Sequence, residues 1–386
     1  MKFKLLIIAT IILSGTLPAQ TRIGAILDTV TEKPSEALKE HYQLLHQAQL
    51  AYVRGELRKS AELFFQAHKA HRAIDMMPLS FAVLRMMPQI PIDSALLLGA
   101  LEMVYRNVPK MSPEVDTFDI MGWYTDSFFK ITFPVNREWL ADYLQQFLYD
   151  GYREYPEIPV VLDSLNEADQ KYRRNDSLWL TMRISGEAIK IDSLNQQALI
   201  DLFRKYPDFS AGTSKYKLSS MDILLQHFAS NQFTDWYPYI KRLVLQGKIP
   251  NSILEDKLDL YVTIYNGRHN IKEMDYYGSK RIFALSDRVV VIMPNRRQLK
   301  VMNRRREEVM LPPFQESVEI RLHHHFVDPH PYMPSIDKYD FTPGIENTIA
   351  DYEARHQAIR KLEDEYINKF RKKYGKRRVK VYQSGI

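Results

Sequence analysis

The chain contains no cysteine. That absence closes thiolate chemistry, disulfides and the bacterial lipoprotein route, which acylates a cysteine. Glycine is scarce, 14 in 386 residues, which disfavours a turn-rich β fold. Neither Gly-x-Gly-x-x-Gly nor a phosphate loop is present, and the Gly-x-Ser-x-Gly elbow of serine hydrolases is missing too. Nucleotide and serine-hydrolase chemistry of the familiar kinds therefore have no support. Acidic residues are missing from the last sixteen positions, where Arg371, Lys372, Lys373, Lys376, Arg377, Arg378 and Lys380 crowd together. The formal net charge of +6 is thus unevenly spread, and the high pI says little about the body of the chain. What is present, 45% hydrophobic and 12% aromatic residues, is a globular composition.

The first residues read as a secretory signal. Lys2 and Lys4 precede an apolar run, Leu5 to Leu13, interrupted only by Thr10. Leu17-Pro18-Ala19-Gln20 offers small residues for cleavage. The run is shorter than the roughly 20 residues that a bilayer span needs. Residues 1–20 are expected to direct export, to a periplasmic or secreted destination, without lipid attachment. An exported chain without disulfides depends on its apolar core, and this one is long enough to bury a large one.

Hydrophobic spacing predicts a mostly α fold. Residues 21–158 read as a tetratricopeptide-like helical region. Leu44, Leu45, Ala48, Ala51 and Tyr52 form one helical face, Gly55 breaks the run, and Ala61, Phe64, Phe65, Ala67 and Ala70 form the next. Ser60-Ala61 recurs as Ser94-Ala95, 34 residues on, the period of that repeat class, although Gln89 replaces the glycine. Trp123 to Phe133 is an aromatic-rich core segment, and Trp139 to Tyr152 a helix. Pro156 and Pro159 mark the expected boundary. Residues 159–322 read as a helical domain with a small β element. Its expected helices include Val160–Lys190, Ser193–Arg204 and Phe233–Gln246. Arg288 to Met293 is the best strand, and Ser317 to Phe326 a second strand. Residues 323–386 form a C-terminal extension with a long amphipathic helix, Gly344–Lys373, and the basic tail. Its apolar seam (Ile345, Ile349, Tyr352, Ile359, Leu362, Tyr366, Phe370) suits packing on the body or a homodimer.

Two groups of polar residues carry candidate chemistry. Asp169 and Arg173, four apart on a helix, share a face and form an ion pair. With His227 from another helix they would place a carboxylate, a guanidinium and an imidazole together, a set suited to orienting water for hydrolysis or to holding an anion. The competing reading is a structural pair between packed helices. His323, His325 and His330 invite a metal: on a strand, His323 and His325 point the same way. No recognised zinc spacing supports that, and a solvent-facing histidine run competes with it. A second basic cluster, Arg296, Arg297, Lys300, Arg304, Arg305 and Arg306, would make a positive patch if it met the tail. A frayed, solvated terminus is the plain reading of the tail itself.

Several short motifs occur in order: Asp169-Gln170-x-x-Arg173, Leu224-Leu225-Gln226-His227, Tyr277-Gly278-Ser279, and Arg305-Arg306 before Leu311-Pro312-Pro313. In these the chain resembles a bacterial domain-of-unknown-function family over about residues 160–321. That family usually shows Tyr-Gly-Thr-Gln where this chain has Tyr277-Gly278-Ser279-Lys280, and Asp-Arg where it has Asp259-Leu260. The resemblance implies domain limits. Gln170, Tyr277 and Ser279, which belong to the motifs, are candidate binding residues.

The leading functional expectation is an exported helical-repeat scaffold that binds a protein or peptide. The alternatives are an envelope hydrolase using Asp169, Arg173 and His227, and a protein that binds an anionic envelope surface through its basic tail. No cofactor is expected, and nucleic acid is an unlikely partner for an exported chain.

Overall fold

The computed structural model describes residues 30–71, 99, 157–173, 186–206, 224, 233–259, 276–285, 288–327, 337–338 and 352–383. The signal segment, Ser94-Ala95, Trp123 to Phe133, Trp139 to Tyr152, His227, His330, Ile345 and Ile349 lie outside them. The fold is mostly α with a small β element. It divides into two compact units, Glu32–Ile253 and a second built on Leu254–Ile386.

In the first unit, α1 (Glu36–Val53) and α2 (Leu57–Ala70) form an antiparallel hairpin. The Ser35 side chain caps α1 by accepting from Leu38 N–H. Gly55, at φ +74°, turns the chain. Ala48, Ala51, Ala61 and Ala67 are fully buried or nearly so, and Phe64 fills the space beside them. Small residues at the contact let the helices approach, as the spacing predicts. Ser60 Oγ donates to Ala48 C=O across the seam at 2.7 Å. α3 (Glu157–Arg173) and α4 (Glu187–Lys205) make a second antiparallel pair, and α5 (Phe233–Leu245) ends at Gly247, φ +70°. Pro159 falls in the first turn of α3, where proline removes only an N–H with no intrahelical partner, and Pro156 lies outside the described residues. The single helix expected over Val160–Lys190 is replaced by two. α3 ends at Arg173, and α4 begins after Gly186, whose φ of +77° suits glycine.

The second unit is a three-layer arrangement. Its sheet has the order β3-β1-β2-β4, with β1 Ile282–Ala284, β2 Arg288–Ile292, β3 Asp337–Lys338 and β4 Val379–Gln383. β1 and β4 flank β2 antiparallel, and β3 joins β1 in parallel. Alternation sorts the side chains. Ile282, Ala284, Val289 and Val291 face α6 (Arg296–Glu308) and α7 (Phe314–Phe326), packing on Met302, Phe314 and Val318. Val290 and Val379 face α8 (Tyr352–Tyr374) and pack on Ile367, Tyr366 and Phe370.

Two expectations are corrected here. Ser317–Phe326 lies in helix α7, not a strand. Phe314, Ser317, Val318 and Arg321 are the buried positions, at i, i+3, i+4 and i+7, so the period-two look of Val318 to Leu322 is incidental. The tail is no frayed end, because Val379 and Val381 join the sheet as β4.

Candidate functional sites: closed polar clusters and an open basic corner

The first cluster lies between α3 and α4. Asp169 is buried. Its Oδ1 accepts from Arg173 Nη1 and its Oδ2 from Gln170 Nε2. Arg173 Nη2 reaches across to Asp192 Oδ1 at 2.6 Å. Both carboxylate oxygens of Asp169 are therefore engaged, and the arginine bridges two helices. Sequence spacing anticipates Asp169, Gln170 and Arg173, but not Asp192, nineteen positions away.

The second cluster sits in the C-terminal unit and is more deeply buried. Leu254–Leu258 is a short π-helix, and Asp259 follows it. Asp259 is fully buried and accepts three backbone N–H groups, from Tyr276 at 2.7 Å, Tyr277 at 2.6 Å and Ser279 at 2.6 Å. Burial pushes its carboxyl above the ordinary aspartate range, against the pull of those amides, and the neighbouring Glu255 charge adds to the rise. Ser279 Oγ donates to Glu255 C=O at 3.1 Å. Glu255 Oε1 takes Arg306 Nη1 at 2.8 Å and Arg321 Nη2 at 3.1 Å. Burial alone would raise the Glu255 carboxyl, but the two guanidinium charges and their hydrogen bonds outweigh it and hold the group below the usual range. Arg306 also donates to Tyr277 C=O at 2.7 Å and to Pro312 C=O. Gly278 completes the turn at φ +105°, and a Cβ there would stand 2.7 Å from the Phe314 ring.

The Tyr277, Ser279, Arg306 and Pro312 motifs thus converge in three dimensions, while Asp169, Gln170 and Arg173 belong to the other unit. The geometry assigns both clusters a holding role. Asp259 clamps the Tyr276–Ser279 turn, and Arg306 ties that turn to the π-helix and to the start of α7. Tyr277 and Ser279 are buried and face this network. Glu255 and Arg321 escape motif reading, and Asp259 enters it only as the position where the resembled family has Asp-Arg. The available signal is their position, charged residues set at helical spacing among buried apolar ones.

The histidines part company. On helix α7, His323 and His325 are two residues apart and so point to opposite sides, which removes the shared face that a strand would give. Among the described residues no three His, Asp or Glu side chains come together in a metal-holding group.

The third feature is open. Arg378 Nε donates to Met293 C=O at 2.8 Å, its Nη2 to Gln298 Oε1 at 3.1 Å, and its carbonyl accepts Met293 N–H at 2.8 Å. Gln298 belongs to the Asn295 capping box that starts α6. The turn at Gly375, φ +91°, is thereby pinned beside the N-terminus of α6, so the two basic clusters of the sequence meet. Arg297, Lys300, Lys376, Arg377 and Lys380 are exposed there and form no ion pair among the described residues. Not all of the second cluster joins them. Arg304 pairs with Glu308, Arg305 stacks 3.8 Å over the Tyr276 ring, and Arg306 is buried.

The fold and its sites define a two-unit, mainly helical protein with a small α/β C-terminal unit. No protein-family model, curated protein or solved structure matches the chain.

Proposed function

We propose that this is an exported binding protein that docks on a polyanionic partner through the basic corner of its C-terminal unit. The observation that carries the reading is the Arg378 anchor, which holds a cationic turn against a second cationic element. Charge distribution supports it. Residues 254–386 carry 25 Lys and Arg against 19 Asp and Glu, so the whole surplus of +6 lies in that unit. The polar groups best suited to catalysis are spent on the scaffold: both oxygens of Asp169 and of Asp259 already accept hydrogen bonds. That weakens the support for a hydrolase built on Asp169 and Arg173.

The test is retention on immobilised heparin. The parent is expected to bind with affinity falling steeply between about 50 and 200 mM salt, as counterion release requires. A variant carrying Arg297→Gln, Lys300→Gln, Lys376→Gln and Arg377→Gln is expected to flow through. A parent that flows through at the lowest salt contradicts the proposal. A second reading, peptide capture by an N-terminal helical repeat, rests on the tetratricopeptide-like hairpin of α1 and α2. It predicts a protein partner that the four-glutamine variant still binds at full affinity.

A further inference from the structure

We infer that the partner of the basic corner is a membrane surface bearing acidic lipid headgroups. The inference rests on the proposed polyanion docking and names its source. The register of β4 carries it. Val379 and Val381 turn toward α8, so Lys380 and Tyr382 turn to the opposite face, the side of the sheet on which α6 lies. Lys380 is exposed, and Tyr382 is 37% exposed. One rim therefore combines cations from a helix (Arg297, Lys300), a turn (Lys376, Arg377) and an edge strand (Lys380) with an amphipathic aromatic. Exposed tyrosine beside lysine is the chemistry of the headgroup region, where the ring is half immersed and the ammonium meets phosphate.

The alternatives fit this rim less well. A protein partner calls for an apolar centre inside a polar rim. Tyr382 is the only large exposed hydrophobic side chain on this rim among the described residues. Single-stranded nucleic acid calls for several aromatic platforms, and among the described residues the rim has one. A bilayer needs only several cations within a Debye length of a negative plane.

The experiment is co-sedimentation of the full-length chain with vesicles of phosphatidylcholine alone or mixed with phosphatidylglycerol, with heparin and duplex DNA in parallel. Of the two kinds of vesicle, only the acidic one is expected to bind, alongside heparin, and both interactions are expected to weaken with salt. Arg297→Gln with Lys300→Gln is expected to weaken vesicle binding about 30-fold, from about fivefold per cation, and Lys376→Gln with Arg377→Gln similarly. All four side chains are exposed, so circular dichroism and melting should match the parent. Tyr382→Ala is expected to weaken vesicle binding and leave heparin binding unchanged. Heparin or DNA binding without vesicle binding would overturn the lipid assignment and leave polyanion docking standing. Equal binding to neutral vesicles would overturn the lipid assignment too. Binding to none of these probes would overturn both readings.

Discussion

At the residue scale, the buried charges do structural work that their chemistry alone would not reveal. Asp259 needs both carboxylate oxygens as acceptors, since Tyr276 and Tyr277 use one and Ser279 the other. Asp259→Asn would turn an amide NH2 toward a backbone N–H. The expected cost is about 3 kcal/mol of stability, read by denaturant unfolding. Arg306→Met would leave Glu255 with Arg321 alone and deprive the Tyr277 and Pro312 carbonyls of their donor, and is expected to cost about 3 kcal/mol. His41 makes a different prediction. It is fully buried, with Nδ1 2.7 Å from the Ala67 carbonyl and its ring 6.2 Å from that of His71. Burial lowers its pKa from 6.5 to about 4, only partly offset by the Ala67 hydrogen bond, and His71 lowers it further. The unfolded chain therefore binds the proton that the fold refuses. Stability is whole above pH 6.5 and falls as the pH drops toward 4, by about 3 kcal/mol at most. His41→Asn keeps a donor for Ala67 and loses the titration, so its melting temperature should vary less over pH 7 to 4.5. Equal pH dependence in both proteins would contradict this. Asp169 and Arg173 are legible in the sequence because their pairing is local. Asp192, Glu255 and Arg321 are not, because their partners lie 19 to 66 residues away and no spacing rule reaches that far.

At the element scale, what is legible follows periodicity. α1, α2, α5, α8 and β2 announce themselves by apolar faces or a β-branched run. α7 and β4 do not. In α7 a chance alternation overlies the helical period, and in β4 two valines are hidden within a basic run. α6 carries so much charge that only Leu299 and Met302 mark its inner face. The strand status of β4 has a direct consequence. Deleting Val379–Ile386 should uncover Val290 and Ile367 and abolish cooperative unfolding of the C-terminal unit, whereas removal of a frayed tail would change nothing. The glycines make a matched pair. Gly55, at φ +74°, has open space where a Cβ would go, so Gly55→Ala should cost about 1 kcal/mol for the backbone alone. Gly278→Ala adds a collision, with Met302 Sδ at 2.8 Å and the Phe314 ring at 2.7 Å, and should cost about 3 kcal/mol or more.

At the scale of the whole molecule, charge and structure divide the labour. The first unit is electrically balanced, and the second holds the surplus and displays part of it on one corner. The sequence shows both basic clusters but cannot bring them together, because their meeting depends on Arg378 reaching Met293, 85 positions back. The most direct measurement is thermal unfolding of the full-length chain with and without inorganic polyphosphate at low salt, for the parent and for the four-glutamine variant. A ligand of the folded state raises the melting temperature by mass action. The parent's transition is expected to rise with polyphosphate and to return to its starting value at high salt, while the variant's stays put. A parent unmoved by polyphosphate, or a variant that moves as far as the parent, would contradict the basic corner as the working surface.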